Sequence, residues 1–128
     1  MPDLKEVIER LEGATGPNDA LNREVCIATG IAPRIEAPFD AAGRGVEIYP
    51  PVMWSIDAAL AFVERVLPGV MWRIGFDPDY GVMKAELVTA APNCINKSAR
   101  HEKVPLAILI AALKALQERG GRGVTDTL

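Results

Sequence analysis

The sequence predicts an α+β fold in which about four helices pack with a small antiparallel sheet. Three observations lead there. Apolar residues recur at helical spacing in four separated stretches. Between the third and fourth of these, "MWRIGF" and "VMKAELV" alternate with period two on either side of a turn. And 128 residues are enough for one core, because a chain of this size buries about two-thirds of its unfolded surface without help from metals or disulfides. One domain over residues 1–119 follows, with 120–128 as a flexible C-terminal tail.

The first helix is expected over residues 3–13. Asp3 caps it, Glu6 sits three positions later, and Leu4, Val7, Ile8 and Leu11 form one stripe. "GATGPN" ends it, and a second helix runs from Asn18 or Asp19 to Thr29 with Leu21, Val25 and Ala28 inward, closing at Gly30. The short break makes the two an antiparallel helical hairpin. Residues 30–54 hold prolines and glycines at close intervals and read as a long loop with one short strand, Val46 to Tyr49. The third helix is capped by Ser55, carries Asp57 in its first turn, repeats apolar residues at Ile56, Leu60, Val63 and Leu67, and stops at Pro68–Gly69. The last helix starts at Pro105 and runs to Gln117 or Arg119. Its "LAILIAAL" is apolar nearly all round, which predicts burial on more than one side.

The hairpin, about 71–76 and 82–88, fixes its own register. Trp72, Ile74 and Phe76 on one strand and Met83, Ala85 and Leu87 on the other share a face only if 76 pairs with 83, 74 with 85 and 72 with 87, since a one-residue slip turns one set outward. The same register puts Arg73 opposite Glu86, a cross-strand charge pair worth some tenths of a kcal/mol, roughly. One or two further short strands complete the sheet.

Composition narrows the function classes. A net charge of -3 disfavours non-specific nucleic-acid binding as the main activity. Cys26 and Cys94 stand far apart outside any CxxC spacing, so reduced, buried thiols of an intracellular protein are expected. The N-terminus "MPDLKEVIER" has no apolar core of a signal peptide, and "VPLAILIAAL" is too short to span a bilayer, so the expectation is a soluble protein of a bacterial cytoplasm without membrane association. "DPDYG" has the first two aspartates of a calcium loop but neither the fifth nor the twelfth ligand, and reads as a turn. "AAGRGV" and "GGRGV" lack the lysine of a P-loop. No metal, cofactor or catalytic set is expected. Candidate binding residues are Tyr49 and Trp54 beside the prolines, Arg73 and Tyr80 in the hairpin, and Arg100 and His101 in the basic run "NKSARHEK", residues 96–103.

The order of three stretches, "RLEGATGPNDALNREV" (10–25), "MWSIDAALAFVERVLPGVMWRI" (53–74) and "VPLAILIAALKAL" (104–116), resembles small phage and prophage proteins grouped as the phage alpha-beta-alpha sandwich domain family. "PPVMWSIDAAL" stands for the family's third-helix start, "MWRI" for its strand, and "VPLAILIAALKAL" for its closing helix. The resemblance covers most of the chain through caps, turns and core positions. It implies helices flanking a sheet and a phage context, and it transfers no catalytic residue. Two features depart from the pattern: Val104 stands where a threonine usually precedes the proline, and the outer hairpin face, with Arg73, Lys84 and Glu86, is polar. The expected function is a non-enzymatic phage or prophage accessory protein that binds a host or phage protein or a second copy of itself. The alternatives are a nucleic-acid factor using residues 97–103 and an enzyme whose site forms only in the fold, from groups such as Asp57, Arg73, Asp79, Tyr80, Arg100 and His101.

Overall fold

The computed structural model describes residues 3–89 and 94–126, the last of them, from 120 on, as backbone. Four helices, α1 (Leu4–Gly13), α2 (Asp19–Ala28), α3 (Ile56–Val66) and α4 (Val104–Asp126), accompany a two-stranded ribbon, β1 (Arg34–Glu36) and β2 (Val46–Ile48), and a three-stranded sheet, β3 (Met71–Asp77), β4 (Val82–Val88) and β5 (Asn96–His101). All pairings are antiparallel. The class is α+β.

The helix starts follow the caps. Asp3 accepts the Glu6 amide at 2.7 Å, Asn18 the Leu21 amide at 3.0 Å, and Ser55 the Ala58 amide at 3.0 Å, each satisfying one otherwise orphaned donor. α1 buries Val7, Ile8 and Leu11, as its stripe predicts. α3 keeps most of its stripe: Val63 and Leu67 are buried and Leu60 packs against the core, joined by Ala59 and Phe62, while Ile56 in the first turn is 44% exposed. α4 runs past the Arg119 expected as its end and through the glycines of "GGRGV". Glycine lowers helix propensity by about 1 kcal/mol per residue but does not forbid the helix.

The long loop expected over 30–54 contains a strand that the sequence reading missed. Arg34–Glu36 pairs with Val46–Ile48, so Val46 is not a lone strand but half of a ribbon. Gly45 is required there: a Cβ would lie 2.6 Å from Ile35 Cγ2 and 2.7 Å from the Glu36 carbonyl oxygen.

In the three-stranded sheet the predicted register holds, with Phe76 opposite Met83, Ile74 opposite Ala85, Trp72 opposite Leu87 and Arg73 opposite Glu86. Gly81, at φ +69°, closes the turn in a conformation that side chains rarely adopt. α4 packs under β4 and β5, and α1 and α3 pack on the far side of α4. The layers are therefore sheet, then α4, then the other helices. No described helix covers the opposite sheet face, in place of the helices on both faces that the resemblance implies. Between two layers, every residue of α4 from Leu106 to Leu113 is fully buried.

One expectation fails at the end of the hairpin. Trp72 and Ile74 are half-buried against the core, but Phe76 is 61% exposed. α4 underlies β4 and β5 rather than β3, so the apolar side of β3 has cover near its start and none near its tip.

Candidate functional site

The outer sheet face is built by strand alternation. Arg73, Gly75 and Asp77 of β3, Lys84 and Glu86 of β4, and Ser98 and Arg100 of β5 point away from α4. With the turn residues Pro78 and Asp79 many of them line an open depression of about 520 Å³. Its charges balance: Arg73, Lys84 and Arg100 against Asp77, Asp79 and Glu86.

Asp77 organises the tip of the hairpin. One carboxylate oxygen accepts from Arg100 Nε at 2.6 Å, the other from the Asp79 amide at 3.0 Å, and its carbonyl accepts the Gly81 amide at 2.8 Å. The Arg100 hydrogen bond holds the Asp77 carboxyl below its ordinary range, and the same bond raises Arg100. The Tyr80 ring stacks on the Arg100 guanidinium with 4.1 Å from the cation carbon to the ring centre. The carboxylate that a calcium loop would need is thus engaged by a cation and a turn amide. The Arg73–Glu86 ion pair expected from register is replaced by a pair along one strand, Lys84 Nζ to Glu86 at 3.3 Å.

Of the six binding candidates, the structure brings three together: Arg73, Tyr80 and Arg100 on or beside the outer face. His101 lies on the other side of β5. Its Nε2 donates to the Ala14 carbonyl at 2.8 Å and its Nδ1 accepts the Lys103 amide at 2.9 Å, which assigns the neutral ring with its proton on Nε2. The histidine expected at a ligand site is a latch between β5 and the end of α1. The basic run is divided by the same alternation, since Lys97 turns to Glu118 of α4 at 2.9 Å while Arg100 turns to Asp77 on the outer face.

Tyr49 and Trp54 do not line the cleft beside the prolines. The Tyr49 hydroxyl donates to Glu47 at 3.0 Å and the Arg23 guanidinium lies 5.9 Å from its ring centre. Trp54 is 44% exposed before the α3 cap. The apolar cleft beside the two prolines, about 170 Å³, is lined instead by residues such as Ile31, Pro50, Val52, Phe62 and Arg65.

The β1–β2 ribbon carries exposed apolar side chains. Ile35, Phe39, Val46 and Ile48 are all large, apolar and exposed. The two strands pair with each other and make no comparable contact with any helix or with the other sheet.

Cys26 is fully buried, and burial pushes its thiol up to about 11. Cys94 is exposed, against the expectation that both thiols are buried. A thiol-reactive dye should therefore label one cysteine in the native protein and both after unfolding; rapid labelling of two in the native state would contradict the burial of Cys26.

Among the described residues no group of three or more His, Cys, Asp or Glu side chains could hold a metal ion, and no helix is long and apolar enough to cross a membrane. The fold and surface define an α+β domain with an apolar ribbon and a polar sheet face. No family model, curated protein or solved structure matches the chain.

Proposed function

We propose that this chain is a non-enzymatic accessory protein of a phage or prophage that acts by holding another protein on its β1–β2 ribbon. The phage context rests on the resemblance of residues 10–25, 53–74 and 104–116. The mode of action rests on one observation: Val46 and Ile48 stand exposed on one face of a ribbon that packs on no other element to a comparable extent, with Ile35 exposed on its opposite face and Phe39 in the connection between the strands. Neighbouring exposed apolar side chains of this kind mark interaction surfaces. Two side chains suited to nucleophilic or acid–base work are withdrawn from such a role, since His101 is engaged at both ring nitrogens and Cys26 is a buried thiol.

The test is capture from a lysate of a lysogenic bacterial host with immobilised wild-type protein and with a Val46→Asp/Ile48→Asp variant. Both substitutions fall on exposed positions, so circular dichroism should be unchanged. A defined protein retained by the wild type and lost with the variant is the expected result. Equal retention by both, or none by either, would refute the ribbon as the binding surface.

A further inference from the structure

The two edges of the three-stranded sheet differ. β5 presents "NKSARH", with Lys97 and Arg100, the charged composition that keeps an edge from pairing with another chain. β3 presents "MWRIGFD", longer and largely apolar, with Met71 68% and Phe76 61% exposed. Antiparallel geometry turns every second backbone N–H and C=O of β3 away from β4. Among the described residues, none from Met71 to Phe76 makes a hydrogen bond outside the β3–β4 pair. The edge is open and its composition does not protect it.

We infer that β3 pairs antiparallel with β3 of a second copy, about a two-fold axis through Gly75, to make one continuous six-stranded sheet. The sequence of the strand selects this occupant and this register. An axis perpendicular to the sheet requires paired residues to have numbers of the same parity, so that both faces stay continuous. Centred on Gly75, Arg73 lies opposite Asp77 of the second copy, and the symmetry repeats the pair. Among the described residues Arg73 takes part in no ion pair, and Asp77, which Arg100 engages through one carboxylate oxygen, would receive Arg73 as a second cation. On the other face Ile74 lies opposite Phe76 of the second copy, so the apolar side chains that α4 leaves uncovered meet across the axis. Gly75 faces itself, with no side chain to separate the strands. An axis through Ile74 would oppose Arg73 to Gly75 and Met71 to Asp77, which leaves Arg73 with no carboxylate opposite it while Asp77 keeps only Arg100 of its own chain. This surface is distinct from the ribbon, so the two proposals stand or fall separately.

Gly75→Cys in a Cys94→Ser background tests the arrangement directly. A Cβ at Gly75 meets nothing within 4 Å, so the substitution fits the fold. Directly opposed residues of antiparallel strands have Cα atoms about 4.5–5.5 Å apart, inside the span of a disulfide. The expected results are a solution mass of two chains for the wild type at about 100 µM, and a reducible cross-linked dimer for Gly75→Cys. Met71→Cys, roughly 26 Å from its mate in this register, should give no cross-link. Arg73→Glu, which opposes like charges twice, should weaken dimerisation at least tenfold. A monomeric mass, whether the edge stays open or takes an extended peptide instead, would overturn the proposal. So would a dimer cross-linked through Met71→Cys but not Gly75→Cys, or one indifferent to Arg73→Glu.

Discussion

Leu109→Ala should lower the free energy of unfolding by about 2–5 kcal/mol, a large part of the roughly 5–15 kcal/mol available to a domain of this kind. Leu109 lies in the middle of the fully buried run of α4, with the sheet on one side and α1 and α3 on the other. Removing its side chain opens a cavity beside a helix that the sheet and other helices already enclose, so the surroundings have little freedom to close it. That restricts collapse, which places the loss in the upper half of the range. Thermal unfolding followed by circular dichroism should show a midpoint lowered on the order of 10 °C. The comparison is Ile56→Ala. Ile56 is 44% exposed at the start of α3, and its truncation should change stability by no more than about 0.5 kcal/mol. Equal losses from the two variants would mean that α4 is not the centre of the packing.

That pair of residues also shows what the sequence discloses and what it withholds. The burial of α4 was legible because "LAILIAAL" has no polar side to present to water, and a helix without a polar side must be enclosed. The exposure of Ile56 was not legible, because helical spacing sets it in line with Leu60, Val63 and Leu67 and says nothing about how far the cover of that stripe reaches toward the start of α3. The β3–β4 register was legible because period two leaves a single alignment with both apolar sets on one face. The exposure of Phe76 was not, since the alternation of a strand says which side a residue takes and nothing about how far the covering helix extends. β1 escaped notice for a related reason: three residues between prolines are too short for alternation to show, and the strand exists because it pairs with Val46–Ile48.

The candidate site was legible to a lesser degree, and the same physics explains it. Arg73, Tyr80 and Arg100 are close in space because β4 stands between β3 and β5 and the turn folds Tyr80 onto Arg100. His101 adjoins Arg100 in sequence, yet alternation sends it to the opposite face, where Ala14 and Lys103 engage both nitrogens. A cluster of basic letters in a strand is two half-clusters in the fold. Charge counting along the chain therefore overstates the local positive potential that residues 97–103 present to any one partner.

Asn22 illustrates a determinant that hydrophobic pattern cannot show. It is only 5% exposed on α2. Its Nδ2 donates to the Pro50 carbonyl at 3.0 Å and its Oδ1 accepts the Val52 amide at 2.9 Å, so one side chain completes both sides of a backbone turn that has no strand partner. That turn delivers Val52 and Met53 into the core, where they are 3% and 0% exposed. Asn22→Leu matches the size and removes both bonds. In that variant the Val52 backbone amide keeps its turn contact to the Pro50 carbonyl at 3.0 Å, and the carbonyl keeps in addition a weak contact with Cys26 Sγ at 3.8 Å. Neither group is left without a partner, so the loss is that of two net hydrogen bonds at about 0.5–1.5 kcal/mol each, about 1–3 kcal/mol in all. Asn22→Asp separates the hydrogen bonds from the packing. As a carboxylate it still accepts from Val52 but opposes a charge to the Pro50 carbonyl; as a carboxylic acid it can donate there as asparagine does. Folding should therefore raise the pKa of this aspartate above its unfolded value of about 3.9. The stability it contributes is then full below the unfolded value and is lost as pH rises through the folded one. Relative to wild type, Asn22→Asp should be weak near neutrality and should recover as pH falls toward about 4, while Asn22→Leu should show no such recovery. Chemical denaturation at a series of pH values distinguishes the two, and a constant deficit for Asn22→Asp would show that the donation to Pro50 does not hold the turn.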